Sequence, residues 1–110
     1  MVDEAIVKSV KNFLRVVQQN GVPVSFGVLY GSYARGEARQ WSDIDVLVVS
    51  PAYDKLKTLN DTSNLWRIAA RTDSRIEPIA VGEKQFEFNE SDNMIVAIAR
   101  REGQIISLAE

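Results

Sequence analysis

A Gly31-Ser32 pair follows one apolar stretch, and eleven residues later Asp43 and Asp45 stand at the mouth of another. The whole segment, residues 30 to 49, reads Tyr-Gly-Ser-Tyr-Ala-Arg-Gly-Glu-Ala-Arg-Gln-Trp-Ser-Asp-Ile-Asp-Val-Leu-Val-Val. A glycine-serine turn can offer backbone N–H groups and a hydroxyl to phosphate oxygens. Two carboxylates supply hard oxygen ligands for a divalent cation such as magnesium. Residues two apart on a strand point the same way, so Asp43 and Asp45 share a face at roughly 6.6 Å along the chain. Like charges at that separation repel by roughly 2.5 kcal/mol at an effective dielectric of about 20. A cation between them reverses that sign. Each half alone has a plainer explanation, since carboxylates are commonly solvated at strand entrances and turns use glycine and serine for backbone reasons. Together they are the two halves that a metal-bound triphosphate needs.

The rest of the composition narrows the chemistry. The chain has 110 residues with no histidine and no cysteine, which removes the usual general base, the usual zinc ligands, thiolate chemistry and disulfides. Serine-histidine-aspartate hydrolysis is excluded with them. Neither Gly-x-x-x-x-Gly-Lys-Ser/Thr nor Gly-x-Gly-x-x-Gly occurs, so P-loop and dinucleotide readings lack their residues. Carboxylates and a bound cation remain. A net charge of -2 carries no polybasic excess, which disfavours extended binding along a nucleic-acid backbone.

At this length, with 45% apolar and 25% charged residues, one globular domain over residues 1 to 110 is expected, with two or three layers. The acidic start, Met-Val-Asp-Glu, lacks the basic flank of a secretory leader. The longest apolar runs, 46 to 49 and 94 to 99, are too short to cross a bilayer, so a cytoplasmic location and no membrane association are expected.

The elements that must position the motif follow from periodicity. Ile6, Val10, Phe13 and Val17, with Val7 and Leu14 alongside, have helical spacing over residues 2 to about 19. Asn20-Gly21 suits the stop, and residues 22 to 30 read as a strand entered through Pro23. Ser32 is a good N-cap for a short turn of helix through Ala34 and Arg35. After a polar loop over 36 to 42, residues 44 to 49 are apolar on both alternating faces and predict a central strand buried on both sides. Ser50-Pro51 ends it, and the stretch to Asn60 reads as loop or irregular helix.

Asp61, Thr62 and Ser63 offer caps for a helix carrying Leu65, Trp66, Ile68, Ala69 and Ala70, with Trp66 in the core, and Asp73-Ser74 breaks it. Residues 75 to 81 predict a third strand, which Pro78 consigns to an edge or bulge. Residues 83 to 89 are ambiguous. Ser91 can cap a last helix with Met94, Ile95, Ile98 and Ala99 inward and Gly103 as its stop, before a short final strand at Ile105, Ile106 and Leu108. The fold expected is α/β (α+β), in the order α-β-α-β-α-β-α-β.

Gly31-Ser32-Tyr33-Ala34-Arg35-Gly36 followed by Ser42-Asp43-Ile44-Asp45-Val46-Leu47-Val48 resembles the motif of the nucleotidyltransferase superfamily that includes DNA polymerase beta. Within it the chain is similar to the minimal nucleotidyltransferases, small single domains. The resemblance implies a mixed sheet flanked by helices, with Gly31 and Ser32 on nucleotide phosphate and Asp43 and Asp45 on two magnesium ions. It also implies a third carboxylate on a later strand, serving as metal ligand and activator of the acceptor hydroxyl. Glu77, in Arg75-Ile76-Glu77-Pro78-Ile79, is the matching position, although it is longer than the family's aspartate and precedes a proline; its alternative is a surface glutamate.

Arg35 could aid phosphate binding or pair with Glu37. Arg67, Arg71 and Arg75 could meet phosphate or a partner, or be solvated. Trp41 could stack on a base or simply pack. By the same resemblance the donor is ATP, transferring AMP to a hydroxyl, and the acceptor is a tyrosine on a small helical partner of the HEPN type in a toxin-antitoxin pair. The rival expectation is a binding or antitoxin module that acts by contact, with a weak or idle metal site; a nucleotide-binding regulatory domain is a third.

Overall fold

The computed structural model describes residues 3–39, 42–55, 57–88 and 93–108. Along them run helix α1 (Glu4–Gln19), strand β1 (Phe26–Tyr30), a one-turn helix α2 (Ser32–Arg35), β2 (Ile44–Ser50), a 3-10 turn (Pro51–Asp54), α3 (Leu59–Thr72), β3 (Ile76–Gly82), α4 (Glu83–Phe88), α5 (Met94–Glu102) and β4 (Gln104–Ile106). The sheet order is β3-β2-β1-β4. β1 is antiparallel to both β2 and β4, whereas β2 and β3 are parallel, with α3 as the crossover that a parallel pair needs. This is the mixed sheet flanked by helices that the motif implied, with α4 as an additional element where residues 83 to 89 were ambiguous.

Alternation along the strands builds two apolar layers. Ile44, Val46 and Val48 of β2 face α1 and α3, where Phe13, Leu14, Leu65 and Ile68 complete the larger core. Leu47 and Val49 face the other way, toward Val96 and Ala99 of α5. Burial on both faces explains why β2 reads as a continuous apolar run. α1 is anchored by Asp3, whose Oδ1 accepts from the Ala5 N–H at 2.9 Å, and its buried stripe is Ile6, Val10, Phe13, Leu14 and Val17.

Several boundaries differ from expectation for physical reasons. β1 starts at Phe26 rather than at residue 22, because Asn20, Gly21 and Val22 turn their N–H groups back onto carbonyls of α1. Gly31, at φ 79°, caps α2, and Ser32 is its first helical residue rather than its cap. α3 begins earlier than Asp61 because Thr58 and Asp61 form a reciprocal capping box, Thr58 N–H donating to Asp61 Oδ2 at 2.9 Å and Asp61 N–H to Thr58 Oγ1 at 3.3 Å. Asn93 caps α5 through Oδ1, which accepts from Ile95 and Val96 N–H groups; Ser91, expected there, lies outside the described residues.

That cap sets the rotation of α5, and Val96 and Ala99 point inward while Met94 and Ile95 remain 76% and 41% exposed. Trp66, expected in the core, is 45% exposed. Pro78 does lie on an edge strand, as its missing N–H required. Among the described residues, no helix is long and apolar enough to cross a membrane.

Candidate functional site

Strand register brings the acidic groups together. β2 pairs with β3 so that Asp45 stands opposite Glu77, and with β1 so that Asp45 stands opposite Tyr30. By alternation Asp45 shares the face of Leu47 and Val49, and Glu77 the face of Val81, so both look toward the α5 side of the sheet. Asp43 lies just before β2, two residues from Asp45 and exposed. Gly31 follows Tyr30 at φ 79° and ψ -153°, a conformation that L side chains avoid. A Cβ on Gly31 would run into the Asp45 carboxylate. The turn at Gly31 and the Asp45 carboxylate therefore adjoin.

The electrostatics carry the mark of crowding. Burial pushes the Asp45 carboxyl up to about 6, helped by the charges of Glu77 and Asp43, against which Arg35 acts. Burial, then the charges of Asp45 and Glu77, push the Tyr30 hydroxyl up to about 12. Tyr30 was not singled out from the sequence, because only the β1–β2 register makes it Asp45's neighbour.

As a donor set, three carboxylates and an adjoining turn suit a hard divalent cation, whose charge would relieve their repulsion. Among the described residues no three acidic side chains are already gathered as a cage. Asp45 and Glu77 instead stand side by side across the β2–β3 pairing.

The arginines divide. Arg35 pairs with Glu37 and lies 3.8 Å from Glu102 of α5, so in this structure it meets the structural alternative. Arg75 is held by Asp73, Nε to Oδ1 at 3.0 Å and an η nitrogen to Oδ2 at 2.8 Å. Ser9 of α1 donates to the same Asp73 at 2.6 Å. This network ties the start of β3, and hence Glu77, to α1. Arg67 and Arg71 project from α3, exposed, and Trp41 lies outside the described residues.

Asp73 also makes a pH prediction. Its hydrogen bonds to Arg75, then to Ser9, hold its carboxyl down at about 2. A depressed carboxylate contributes stability above its unfolded value of about 3.9, and the contribution is lost as pH falls from there through about 2. The pair is partly exposed, with Asp73 at 14% and Arg75 at 37%, so Asp73→Asn is expected to cost about 1 to 2 kcal/mol at neutral pH. Urea melts at pH 7, 4 and 2.5 should show that difference closing toward the acid end; a constant difference contradicts it.

The comparisons agree with this architecture. A nucleotidyltransferase domain family model matches residues 10–106. Among solved structures, a candidate nucleotidyltransferase from Sulfolobus solfataricus superimposes with a TM-score of 0.63 at 18% identity, covering 92% of this chain and 78% of that one. A toxin-antitoxin crystallised with AMP-PNP gives a TM-score of 0.59 at 18% identity, covering 87% of this chain and 71% of that one. At such identities the likeness concerns the fold. The comparison with curated proteins yields no match. Because the family match runs from within α1 to the end of β4 and takes in the whole turn-and-carboxylate segment, this chain belongs to the nucleotidyltransferase domain family.

Proposed function

We propose that the chain is a magnesium-dependent nucleotidyltransferase that moves AMP from ATP onto a hydroxyl and releases pyrophosphate. Family membership carries the nucleotidyl transfer; nucleotidyltransferases in general use a nucleoside triphosphate and a divalent metal. The observation that carries the site is Asp45, set between the Gly31 turn and Glu77, with its carboxyl raised by burial and then by neighbours of its own sign.

Asp43, Asp45 and Glu77 would hold two magnesium ions, which supply charge neutralisation to the attacking and leaving oxygens. Gly31 and Ser32 would receive phosphate oxygens on backbone N–H groups and the serine hydroxyl. Arg35 would leave Glu37 for the phosphates. The acceptor oxygen bonds to the α-phosphorus, the bond to the β-phosphate bridge breaks, and the hydroxyl proton passes to Glu77. Alignment and charge do the rest.

We assign the acceptor to a tyrosine on a helical, HEPN-type partner. The toxin-antitoxin with AMP-PNP supports a partner and an adenine nucleotide by likeness of fold. A second reading, a contact antitoxin with an idle site, draws on Arg35, which is held by Glu37 and would have to leave it to meet phosphate.

Incubation with magnesium and each labelled nucleoside triphosphate, with and without the product of the adjacent gene, decides between them. The enzyme reading expects label on the partner and free pyrophosphate, with ATP the best donor. Complex formation without label favours the contact reading. Magnesium-dependent ATP binding with no pyrophosphate would mean a regulatory nucleotide domain.

A further inference from the structure

Glu102 stands where a helix does not favour an acid. It is the last residue of α5, in a turn that also carries Arg100 and Arg101, and the negative end of a helix attracts those arginines and repels a carboxylate. Its partner lies on another element. One carboxylate oxygen of Glu102 is 3.8 Å from Nη1 of Arg35, the last residue of α2. The backbone fixes where Glu102 stands: a Cβ on Gly103 would run into the Ala99 carbonyl, the Val28 side chain and the Leu29 carbonyl, so only glycine lets the chain leave α5 this close to β1. Gln104 then pairs with Leu29, two residues before Gly31. The end of α5 is thereby held beside the turn that opens α2.

Arg35 meets its two carboxylates in different ways. Glu37 accepts a hydrogen bond from Nε. Glu102 faces Nη1 at a distance too long for a hydrogen bond, so it attracts the guanidinium without occupying a donor. Nε and Nη2 share one edge of the planar fork, an edge that can bind an oxyanion through two parallel N–H groups. Freed from Glu37, that edge is open while Nη1 still faces Glu102. Glu37 is the easier partner to give up, being 64% exposed against 36% for Glu102, because water readily replaces Arg35 around it. The charge of Asp45 acts on the same guanidinium, so Arg35 is within electrostatic reach of the site.

We propose that Glu102 is a positioning residue for nucleotide binding, which keeps Arg35 turned toward the site when the guanidinium exchanges Glu37 for a phosphate oxygen. This rests on the nucleotide-binding reading of the Gly31 turn and goes beyond it by giving two neighbouring carboxylates opposite roles. Glu37 competes with phosphate for Arg35, and Glu102 aims it. An exposed ion pair contributes little to stability, so the effect belongs in affinity rather than in the melt.

The test titrates the chain, in magnesium, with ATP carrying a methylanthraniloyl group on its ribose, and reads the dissociation constant by fluorescence. Each substitution is made on the unaltered chain and again on Arg35→Ala, so that the general effect of one negative charge fewer near a triphosphate cancels in the comparison. Relative to its effect on Arg35→Ala, Glu102→Gln is expected to weaken binding by about three- to tenfold, and Glu37→Gln to tighten it by about twofold or more. Glu102→Asp keeps the charge and should retain most of the affinity that Glu102→Gln loses. Effects of one sign for the two glutamates, or an affinity that ignores Glu102→Gln, overturn the inference. So does a lowered urea midpoint in Glu102→Gln with affinity lost equally on both backgrounds, which would assign Glu102 to the scaffold. In each of those cases, nucleotide binding by the unaltered chain leaves the functional reading standing. Absence of nucleotide binding by the unaltered chain removes that reading and this inference together.

Discussion

Asp45→Asn and Asp43→Asn should each lower nucleotidyl transfer by about a thousandfold or more, while Asp45→Asn leaves the fold at least as stable. Removing one anionic ligand from a pair of bound cations weakens the stabilisation of charge that phosphoryl transfer depends on. The stability effect runs the opposite way for a reason visible in the structure. Asp45 is ionised at neutral pH against burial and against the charges of Glu77 and Asp43, and a neutral amide of the same shape removes that repulsion. Solvent screens part of it, so a gain of about 1 kcal/mol is expected.

Loss of activity with gain of stability separates a site residue from a scaffold residue, whose loss lowers both. Denaturant melts and labelled-AMP transfer, run on the same preparations, check it. Chelation should abolish transfer by the unaltered chain, and magnesium should restore it. Neutralisation of a partner that survives both substitutions undiminished would favour the contact reading instead.

Gly31→Ala should damage both the fold and the site. Two costs combine there. The backbone at φ 79° and ψ -153° is open essentially to glycine alone, and holding alanine in it costs about 1 to 3 kcal/mol. The new methyl also meets the Asp45 carboxylate, which must turn aside from its place beside the turn because its own strand is held by β1 and β3. The expected sum is about 2 to 4 kcal/mol of stability and about a hundredfold or more in transfer, since a small displacement of reacting groups is that expensive.

Gly36→Ala is the control. Gly36 has φ 73°, a left-handed position, but open space around its missing Cβ. Strain alone should cost about 1 kcal/mol there and leave transfer within about threefold. Equal effects of the two substitutions would mean that contact with Asp45 contributes nothing.

Much of this was legible in residue order because the deciding forces are local. Alternation with a period of two turns Asp45 to the face of Leu47 and Val49 whatever surrounds them, and the apolar residues on both faces of 44 to 49 suit a strand covered on both sides. Pro78 announced an edge by lacking a donor. The short-range capping choices were harder, since Thr58, Asp61, Thr62 and Ser63 all have the right chemistry and only the reciprocal bond between Thr58 and Asp61 singles out one start.

What tertiary structure alone decided concerns partners far apart in the chain. The parallel register of β2 and β3 sets Glu77 against Asp45, the antiparallel register of β1 brings Tyr30 there, and Asp73 joins Ser9 to Arg75 across 64 residues. The exposure of Trp66, Met94 and Ile95 was equally hidden, because helical spacing identifies apolar residues without saying how far the helix is rotated or where its covering layer stops. Local periodicity is a property of the backbone, carried by any segment alone. Register, rotation and the extent of a layer come from packing that all the elements must satisfy together.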